Sequence, residues 1–317
     1  VATLGSGPVT PPVLVVGPRA AALETALAEA MPSDVHLSRI DTVRPLTPSE
    51  QDAEIALGPP DQLAPMLSQL PRLRWVQSTW AGVTPFIDHP RRDYQLTAAK
   101  GMFGAAMSEY VLGWVLALER SILRHATARH WDDRPDRGVG DKRLGIAGVG
   151  SIGREVALRC APFFDEVVGL NSDGHPVEGC RRCYGMDQRF EFARGLDVLA
   201  LLLPQTEQTT RLADDRLLDA LNPGAIVMNA GRANALDLPA ALQHLESGGL
   251  SALVLDVLAE EPLEEGSELW SLPGLYLTSH TAAPTETHAI ARQFLDNLGR
   301  YRRGEPLHGL VDFTRGY

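Results

Sequence analysis

Leu144-Gly145-Ile146-Ala147-Gly148-Val149-Gly150-Ser151-Ile152-Gly153 is the stretch that decides how this chain folds. Leu144 to Ala147 reads as an apolar strand, and the next six residues spell G-x-G-x-x-G ahead of a helix beginning near Arg154. A lone G-x-G-x-x-G says little, because glycine-rich turns also arise for structural reasons alone. Here a strand precedes it, a helix follows, and a second strand candidate, Glu166 to Leu170, comes about twenty residues on. In that context Gly148 permits a tight turn, Gly150 lets the backbone approach a pyrophosphate, and Gly153 lets helix and strand pack closely. Free N–H groups of Gly150, Ser151 and Ile152 at the helix N-terminus would hold phosphates without a lysine.

Further strand candidates follow the glycine turn: Val198 to Leu203, Ala225 to Asn229, Leu253 to Val257 and Leu275 to Thr278. With Arg143 to Ala147 and Glu166 to Leu170 they make six, separated by helical stretches, as a doubly wound dinucleotide-binding sheet requires. Upstream lies a second α/β series: Val13 to Val16, a helix over Ala20 to Met31, then strands Glu54 to Leu57, Arg74 to Ser78 and Gln95 to Ala98. Residues 1 to 11, rich in Gly, Pro, Thr and Ser, read as a frayed tail. Between the two series, Ala105 to His130 contains one glycine and no proline, and Met107, Tyr110, Val111, Trp114, Val115 and Leu118 recur at helical steps. One long helix is predicted there, suited to joining domains or building a dimer face. The final helix, Glu286 to Arg303, follows the sixth strand and is expected to pack back on the first series. The expected architecture is therefore two Rossmann-like or flavodoxin-like α/β domains with doubly wound parallel sheets. Residues 1–103 and 284–317 would form a substrate domain around an inserted dinucleotide-binding domain, 104–283.

Composition excludes several functions. The 317 residues carry 29 Lys and Arg against 40 Asp and Glu, a net charge of -11. Such a chain repels phosphate backbones and anionic membranes, so neither nucleic acid nor membrane is an expected partner. No run of eighteen apolar residues occurs, and the first twelve lack the charged and apolar regions of a signal peptide, which points to the cytoplasm. Cys160, Cys180 and Cys183 are too few for a disulfide framework. Cys180-Arg181-Arg182-Cys183 has C-x-x-C spacing but no second ligand pair, so no metal site is expected and reduced thiols are the better account.

The end of the second strand chooses between cofactors. An acidic residue there would bind the adenosine ribose and repel a 2′-phosphate; this chain has Asn171-Ser172-Asp173-Gly174. Asn171 and Ser172 remove the repulsion and lean towards NADP over NAD, while Asp173 could supply the missing carboxylate. Arg181 and Arg182, further along, could reach a 2′-phosphate. Chemistry is expected at the C-terminal ends of later strands, where open parallel sheets bind ligands. Arg232 follows Met228-Asn229-Ala230-Gly231, Glu261 follows Leu255-Asp256-Val257-Leu258-Ala259-Glu260, and His280 closes Leu277-Thr278-Ser279-His280. Any one of them alone is more often a structural side chain; three of complementary chemistry beside a cofactor turn are not.

These residues, together with Trp75-Val76-Gln77-Ser78-Thr79-Trp80-Ala81-Gly82-Val83, Gly101 to Tyr110, Leu203-Pro204-Gln205-Thr206, Glu261-Pro262 and His280-Thr281-Ala282-Ala283, resemble the D-isomer-specific 2-hydroxyacid dehydrogenases over nearly the whole length. Among these the chain looks most like the short glyoxylate and hydroxypyruvate reductases. The resemblance implies NAD(P)H-dependent reduction of a small 2-oxo acid. Arg232 would bind its carboxylate and polarise the carbonyl. His280 would donate the proton, and Glu261 would orient the ring and favour its charged form. It also implies cofactor contacts from Asp256, Ala230, Pro204, Thr209 and Ala282, and substrate contacts from the N–H groups of Ala81, Gly82 and Val83. Trp80 stands where the family more often has a small residue, and would narrow the pocket or wall it. Phe103, Met107 and Trp131 are further pocket candidates with equally good core or interface readings. The long helix and the resemblance both imply a homodimer. Two alternatives stay open: a dinucleotide-sensing regulator of the same fold, and a formate or phosphite dehydrogenase. The Arg232, Glu261 and His280 set and the lack of a long basic extension weigh against the regulator. Glu261 in place of an amide weighs against formate chemistry. With substrate and cofactor both anionic, attraction must be local, from Arg232, protonated His280 and backbone N–H groups, against the global charge.

Overall fold

Twelve strands, every ladder between them parallel, make two separate sheets in the computed structural model, which describes residues 11–316. The expected N-terminal tail lies outside the described residues except for Pro11. The contacts divide the chain into two compact units, one running up to Met102 and resuming at Thr285, the other Phe103–Pro284.

The first unit holds β1 (Val13–Val16), β2 (Leu37–Ile40), β3 (Ile55–Gly58), β4 (Trp75–Ser78) and β5 (Gln95–Thr97), in the order β2-β1-β3-β4-β5. The central strands β1 and β3 are buried throughout, which explains their continuous apolar runs. The two ends of the chain are joined inside this unit. Helix Thr287–Arg303 stacks Phe294 on Trp75, ring centroids 5.1 Å apart. Buried Asn297 bonds Gln77 Oε1 at 3.2 Å, and the segment beyond the helix returns to β5, Val311 N–H donating to Leu96 O. Strand β2 has no counterpart in the sequence expectations. Its run Leu-Ser-Arg-Ile lies on the edge of the sheet, where one face and one side meet solvent and an apolar run is not required.

The second unit holds β6 (Arg143–Ala147), β7 (Glu166–Leu170), β8 (Arg182–Tyr184), β9 (Val198–Leu201), β10 (Ala225–Asn229), β11 (Leu250–Leu255) and β12 (Leu275–Leu277), in the order β12-β11-β10-β9-β6-β7-β8. Counted within the unit from β8 to β12, that is 3-2-1-4-5-6-7, the dinucleotide-binding order with one strand added. The added count corrects the expected six strands. Arg182-Cys183-Tyr184 pairs with β7 at the sheet edge, and Cys180 packs behind Gly169, where a Cβ would sit 3.0 Å from its Sγ. Burial pushes the Cys180 thiol up to about 12, so the C-x-x-C is packed as small apolar side chains. Among the described residues no group of three or more His, Cys, Asp or Glu is placed to hold a metal ion.

The predicted single helix is two. Gly104–Glu119 ends, Ser121 adopts a left-handed backbone (φ 50°), and Ile122–Thr127 follows. No glycine or proline marks the break. The helix end is instead held by tertiary contacts: the Glu119 carbonyl accepts from Arg137 N–H at 3.2 Å, and its buried carboxylate pairs with Lys142 at 3.2 Å. Among the described residues no helix is long and apolar enough to cross a membrane.

Candidate active site

In the second unit the sheet order reverses between β6 and β9, and the glycine turn sits at that switch point, at the C-terminal end of β6. Gly148 has φ +101°, and a Cβ there would lie 2.6 Å from Leu202 O. A Cβ on Gly153 would lie 2.2 Å from Gly148 O, so close helix packing requires this glycine too. Gly150 is different in kind. It is the N-cap of helix Ser151–Cys160, its φ is -77°, and a Cβ there would meet nothing within 4 Å. Neither backbone strain nor packing within the chain demands glycine at Gly150; the space is left open for something else. The N–H groups of Gly150, Ser151 and Ile152 have no acceptor among the described residues, as expected for a first helical turn. Open space beside three converging donors at a helix N-terminus fits a dinucleotide pyrophosphate.

At the end of β7 the side chain of Asn171 is engaged in its own loop: Nδ2 donates to His175 O at 2.8 Å and Oδ1 accepts from Gly174 N–H at 2.6 Å. Ser172 is exposed, and Asp173 pairs with His175 at 2.6 Å. The expectation for Arg181 and Arg182 is corrected. Arg181 precedes β8, and Arg182 opens it in register with Val168, two residues short of the end of β7. Arg181 lies 3.6 Å from Glu166 at the start of β7, and Arg182 pairs with Glu191 and covers the Tyr184 ring.

Arg232, Glu261 and His280 come together around one cavity of about 1080 Å³, lined also by Gln205, Asn229 and Val257. Arg232 and His280 are each positioned by a polar residue at or just past a strand end. Asn229, last residue of β10, donates to Arg232 O at 3.0 Å and accepts from Gly231 N–H at 3.2 Å, folding the turn that carries the guanidinium. A Cβ on Gly231 would lie 2.6 Å from Leu203 N. The Leu202–Leu203 backbone thus passes between Gly148 and Gly231, which is why β9 ends at Leu201 and not at Leu203. Burial lowers the pKa of Arg232 and the Glu261 charge opposes this; the guanidinium keeps its proton regardless.

Glu261 closes a short loop, its Oε1 accepting from Leu258 N–H at 2.9 Å while Oε2 lies 2.9 Å from His280 Nδ1. With the carboxylate as acceptor, Nδ1 carries the proton and Nε2 is left to face a ligand. His280 has a left-handed backbone (φ 55°), an uncommon state for a residue with a side chain. Asp256, just past β11, holds it there. Its carbonyl accepts from His280 N–H at 2.9 Å, Oδ1 from Thr281 N–H at 2.8 Å and from the Thr278 hydroxyl at 2.5 Å, and Oδ2 from Ala282 N–H at 3.0 Å. Asp256 therefore has one acceptor position left for a carboxamide.

The remaining expected residues fall as follows. Ala230 and Ala282 are buried, and Pro204 is half-buried. The Thr209 hydroxyl is turned onto Pro204 O at 2.7 Å and is buried. Phe103 and Met107 are buried, Met107 within the core on the β6 side, so the core reading holds for it. Trp131 is 91% exposed and is not among the residues that line the cavity at Arg232. In the first unit Trp80 is exposed, and the N–H groups of Ala81, Gly82 and Val83 have no acceptor among the described residues. Asn229, Thr278 and Tyr110 were not singled out from sequence as site residues. A polar residue closing an otherwise apolar strand was the available signal for Asn229.

Residues 112–282 match the family described as "D-isomer specific 2-hydroxyacid dehydrogenase, NAD binding domain". The chain is 30% identical to a glyoxylate/hydroxypyruvate reductase A of Yersinia enterocolitica, over 84% of this chain and 88% of that one. Its structure is similar to that of a D-isomer specific 2-hydroxyacid dehydrogenase family protein of Aeromonas salmonicida, with TM-score 0.87, 34% identity, and 96% and 99% of the two chains covered. It is also similar to an NADPH-dependent glyoxylate/hydroxypyruvate reductase of Sinorhizobium meliloti in complex with NADP and sulfate, with TM-score 0.85, 27% identity, and 97% and 100% covered. The glycine turn at the switch point, the cavity at the neighbouring strand ends and these likenesses agree: the chain belongs to the D-isomer specific 2-hydroxyacid dehydrogenases and is an NAD(P)-dependent oxidoreductase.

Proposed function

We propose that the protein reduces a small 2-oxo acid, of the size of glyoxylate or hydroxypyruvate, to the D-2-hydroxy acid, with NADPH as the preferred reductant. The observation that carries this reading is the His280–Glu261 pair at 2.9 Å in the same cavity as a half-buried guanidinium, Arg232. The planar, permanently charged fork of Arg232 binds the substrate carboxylate and draws electron density from the C2 carbonyl. A reduced dinucleotide held by its pyrophosphate on the glycine turn would supply the hydride to C2. His280 gives the proton from Nε2 to the carbonyl oxygen as negative charge develops there, and Glu261 stabilises the imidazolium before transfer and fixes the ring. In the reverse direction the neutral His280 removes that proton. Asp256 offers its remaining acceptor position to the cofactor carboxamide, and Ala81, Gly82 and Val83 offer their N–H groups to an anionic substrate.

The cofactor preference rests on the loop after β7. No carboxylate follows Leu170 directly, and the nearest one, Asp173, is engaged by His175 within its own loop at 2.6 Å. The S. meliloti reductase is described as NADPH-dependent. A homodimer is part of the same proposal: Ile122 and Leu123 are exposed on helix Ile122–Thr127, and so is Trp131 on the loop that follows. The loop bearing Trp131 is pinned to that helix by Arg124, paired with Asp136 at 3.1 Å. Mixing the purified protein with glyoxylate or hydroxypyruvate and each reduced cofactor, and following loss of nicotinamide absorbance, tests the reading. The expected result is turnover with both acids and a higher kcat/KM with NADPH. Failure across a panel of short 2-oxo acids would remove it.

A further inference from the structure

We propose that Tyr110, on helix Gly104–Glu119, is a positioning residue for His280, acting through a one-way chain of hydrogen bonds, Tyr110 to Thr278 to Asp256. This rests on the reading of His280 as proton donor.

The left-handed turn at His280 needs something to hold it, because a non-glycine residue in that region is held only where its surroundings fix it. Asp256 supplies the direct contacts, through both carboxylate oxygens and its carbonyl. What holds Asp256 from the other side is Thr278, 2.5 Å from Oδ1. In that bond the Thr278 hydroxyl is the donor and the carboxylate oxygen the acceptor. A hydroxyl has one proton. The bond between Tyr110 and Thr278, at 2.8 Å, then runs in a single sense: the tyrosine donates and the threonine accepts. Burial pushes the Tyr110 phenol up to about 12, so it holds its proton and remains a donor at any working pH.

The ring is itself seated. Tyr110 lies edge-on to Trp114 at 6.4 Å, and Trp114 packs at 5.2 Å from Tyr276 of β12, two residues before Thr278. The helix thus touches the strand that leads into His280 by an aromatic contact and by a directed hydrogen bond. Removing the phenolic oxygen leaves the first and deletes the second. Thr278 can then rotate away from Oδ1, and Asp256 loses the constraint that sets the angle of the Thr281 and Ala282 bonds. In the proposed reading Tyr110 and Thr278 touch neither ligand, and Asp256, which meets the cofactor carboxamide, keeps its backbone bonds, so the loss is expected in the rate more than in binding.

The test compares Tyr110→Phe, Thr278→Val and Thr278→Ser in the full-length protein, with His280→Ala as reference. Tyr110→Phe is expected to lower kcat about three- to tenfold, the rate equivalent of one net hydrogen bond, with KM for both substrates within about twofold. Thr278→Val should fall at least as far, Thr278→Ser should recover most of the rate, and adding Tyr110→Phe to Thr278→Val should cost little more. Thermal unfolding of each variant separates a lost fold from a lost rate. If Tyr110→Phe keeps native kcat while His280→Ala is inactive, or if Thr278→Ser is as impaired as Thr278→Val, Tyr110 does not position His280. If His280→Ala itself keeps native turnover, the reading beneath the proposal falls first.

Discussion

The two sheets begin in the same way and end differently. After β1 the chain reads Gly17-Pro18-Arg19 and enters helix Ala20–Ala28; after β6 it reads Gly148-Val149-Gly150 and enters helix Ser151–Cys160. Both first glycines have positive φ, +112° and +101°, and both lack room for a Cβ, which would lie 2.8 Å from Pro59 Cδ in one and 2.6 Å from Leu202 O in the other. Both central strands stand where their sheet order reverses. The difference is the N-cap. Arg19 fills the position in the first unit, its guanidinium donating to Thr285 O at 2.6 Å, whereas Gly150 leaves it empty in the second. Topology supplies a strand-end crevice in both units. The two crevices differ in what stands at the helix N-terminus: Ala20 N–H is already bonded to Gly17 O in the first, and Ser151 N–H has no such acceptor among the described residues in the second.

That contrast can be broken by exchanging the residues. Gly150→Arg places in the second unit what the first unit carries, and because the position has open space the fold should survive. Dinucleotide affinity, measured by fluorescence or calorimetry, should fall by about a hundredfold or more while thermal unfolding shifts little, since an exposed site away from packing changes stability by about 0.5 kcal/mol. Equal loss of fold and affinity would mean that Gly150 is structural. Gly148→Ala sharpens the other half. With φ +101° and a backbone oxygen in the way, it should destabilise the protein by about 2 kcal/mol or more, read from denaturant midpoints.

Stability in the first unit leans on a different device. The Arg44 guanidinium beside Glu50 holds that carboxyl down to about 2, although its burial works the other way. The folded pKa is below the unfolded value, so the stabilisation is complete above about pH 4.5 and is lost as pH falls towards 2. Glu50→Ala should cost about 1.5–3 kcal/mol at neutral pH, the range for hydrogen bonds to a charged group, and the gap from wild type should narrow through that window. A gap independent of pH would mean that the cost is lost packing of the Glu50 side chain rather than its charged bonds to Arg44 and to Thr47 N–H. Catalysis should be untouched at neutral pH.

Local signals made the central strands and the glycine turn legible in the sequence, because a strand buried on both faces has to be apolar and a turn at φ +101° has to be glycine. Edge strands were not legible. Leu37–Ile40 and Arg182–Tyr184 have a neighbour on one side only, so their sequences carry little of the apolar signature. The break at Ser121 was hidden for another reason: Arg137 and Lys142, far along the chain, fix the end of the helix at Glu119. Arg232, Glu261 and His280 could be picked out by chemical type and place. Their supports were legible only in part: Asp256 is expected from sequence as a cofactor contact and not as the residue that holds His280, while the parts of Asn229 and Thr278 rest on bond geometry that spacing does not encode.

The claim at the centre is that the strand ends of the second sheet reduce a 2-oxo acid with His280 as proton donor. Steady-state oxidation of NADPH with glyoxylate by wild type and His280→Ala, alongside NADPH binding by each, tests it most directly. The account predicts turnover by wild type, a loss of about 10²- to 10⁴-fold in the variant, and unchanged NADPH affinity. Native turnover by the variant, or none by wild type with any short 2-oxo acid, would contradict it.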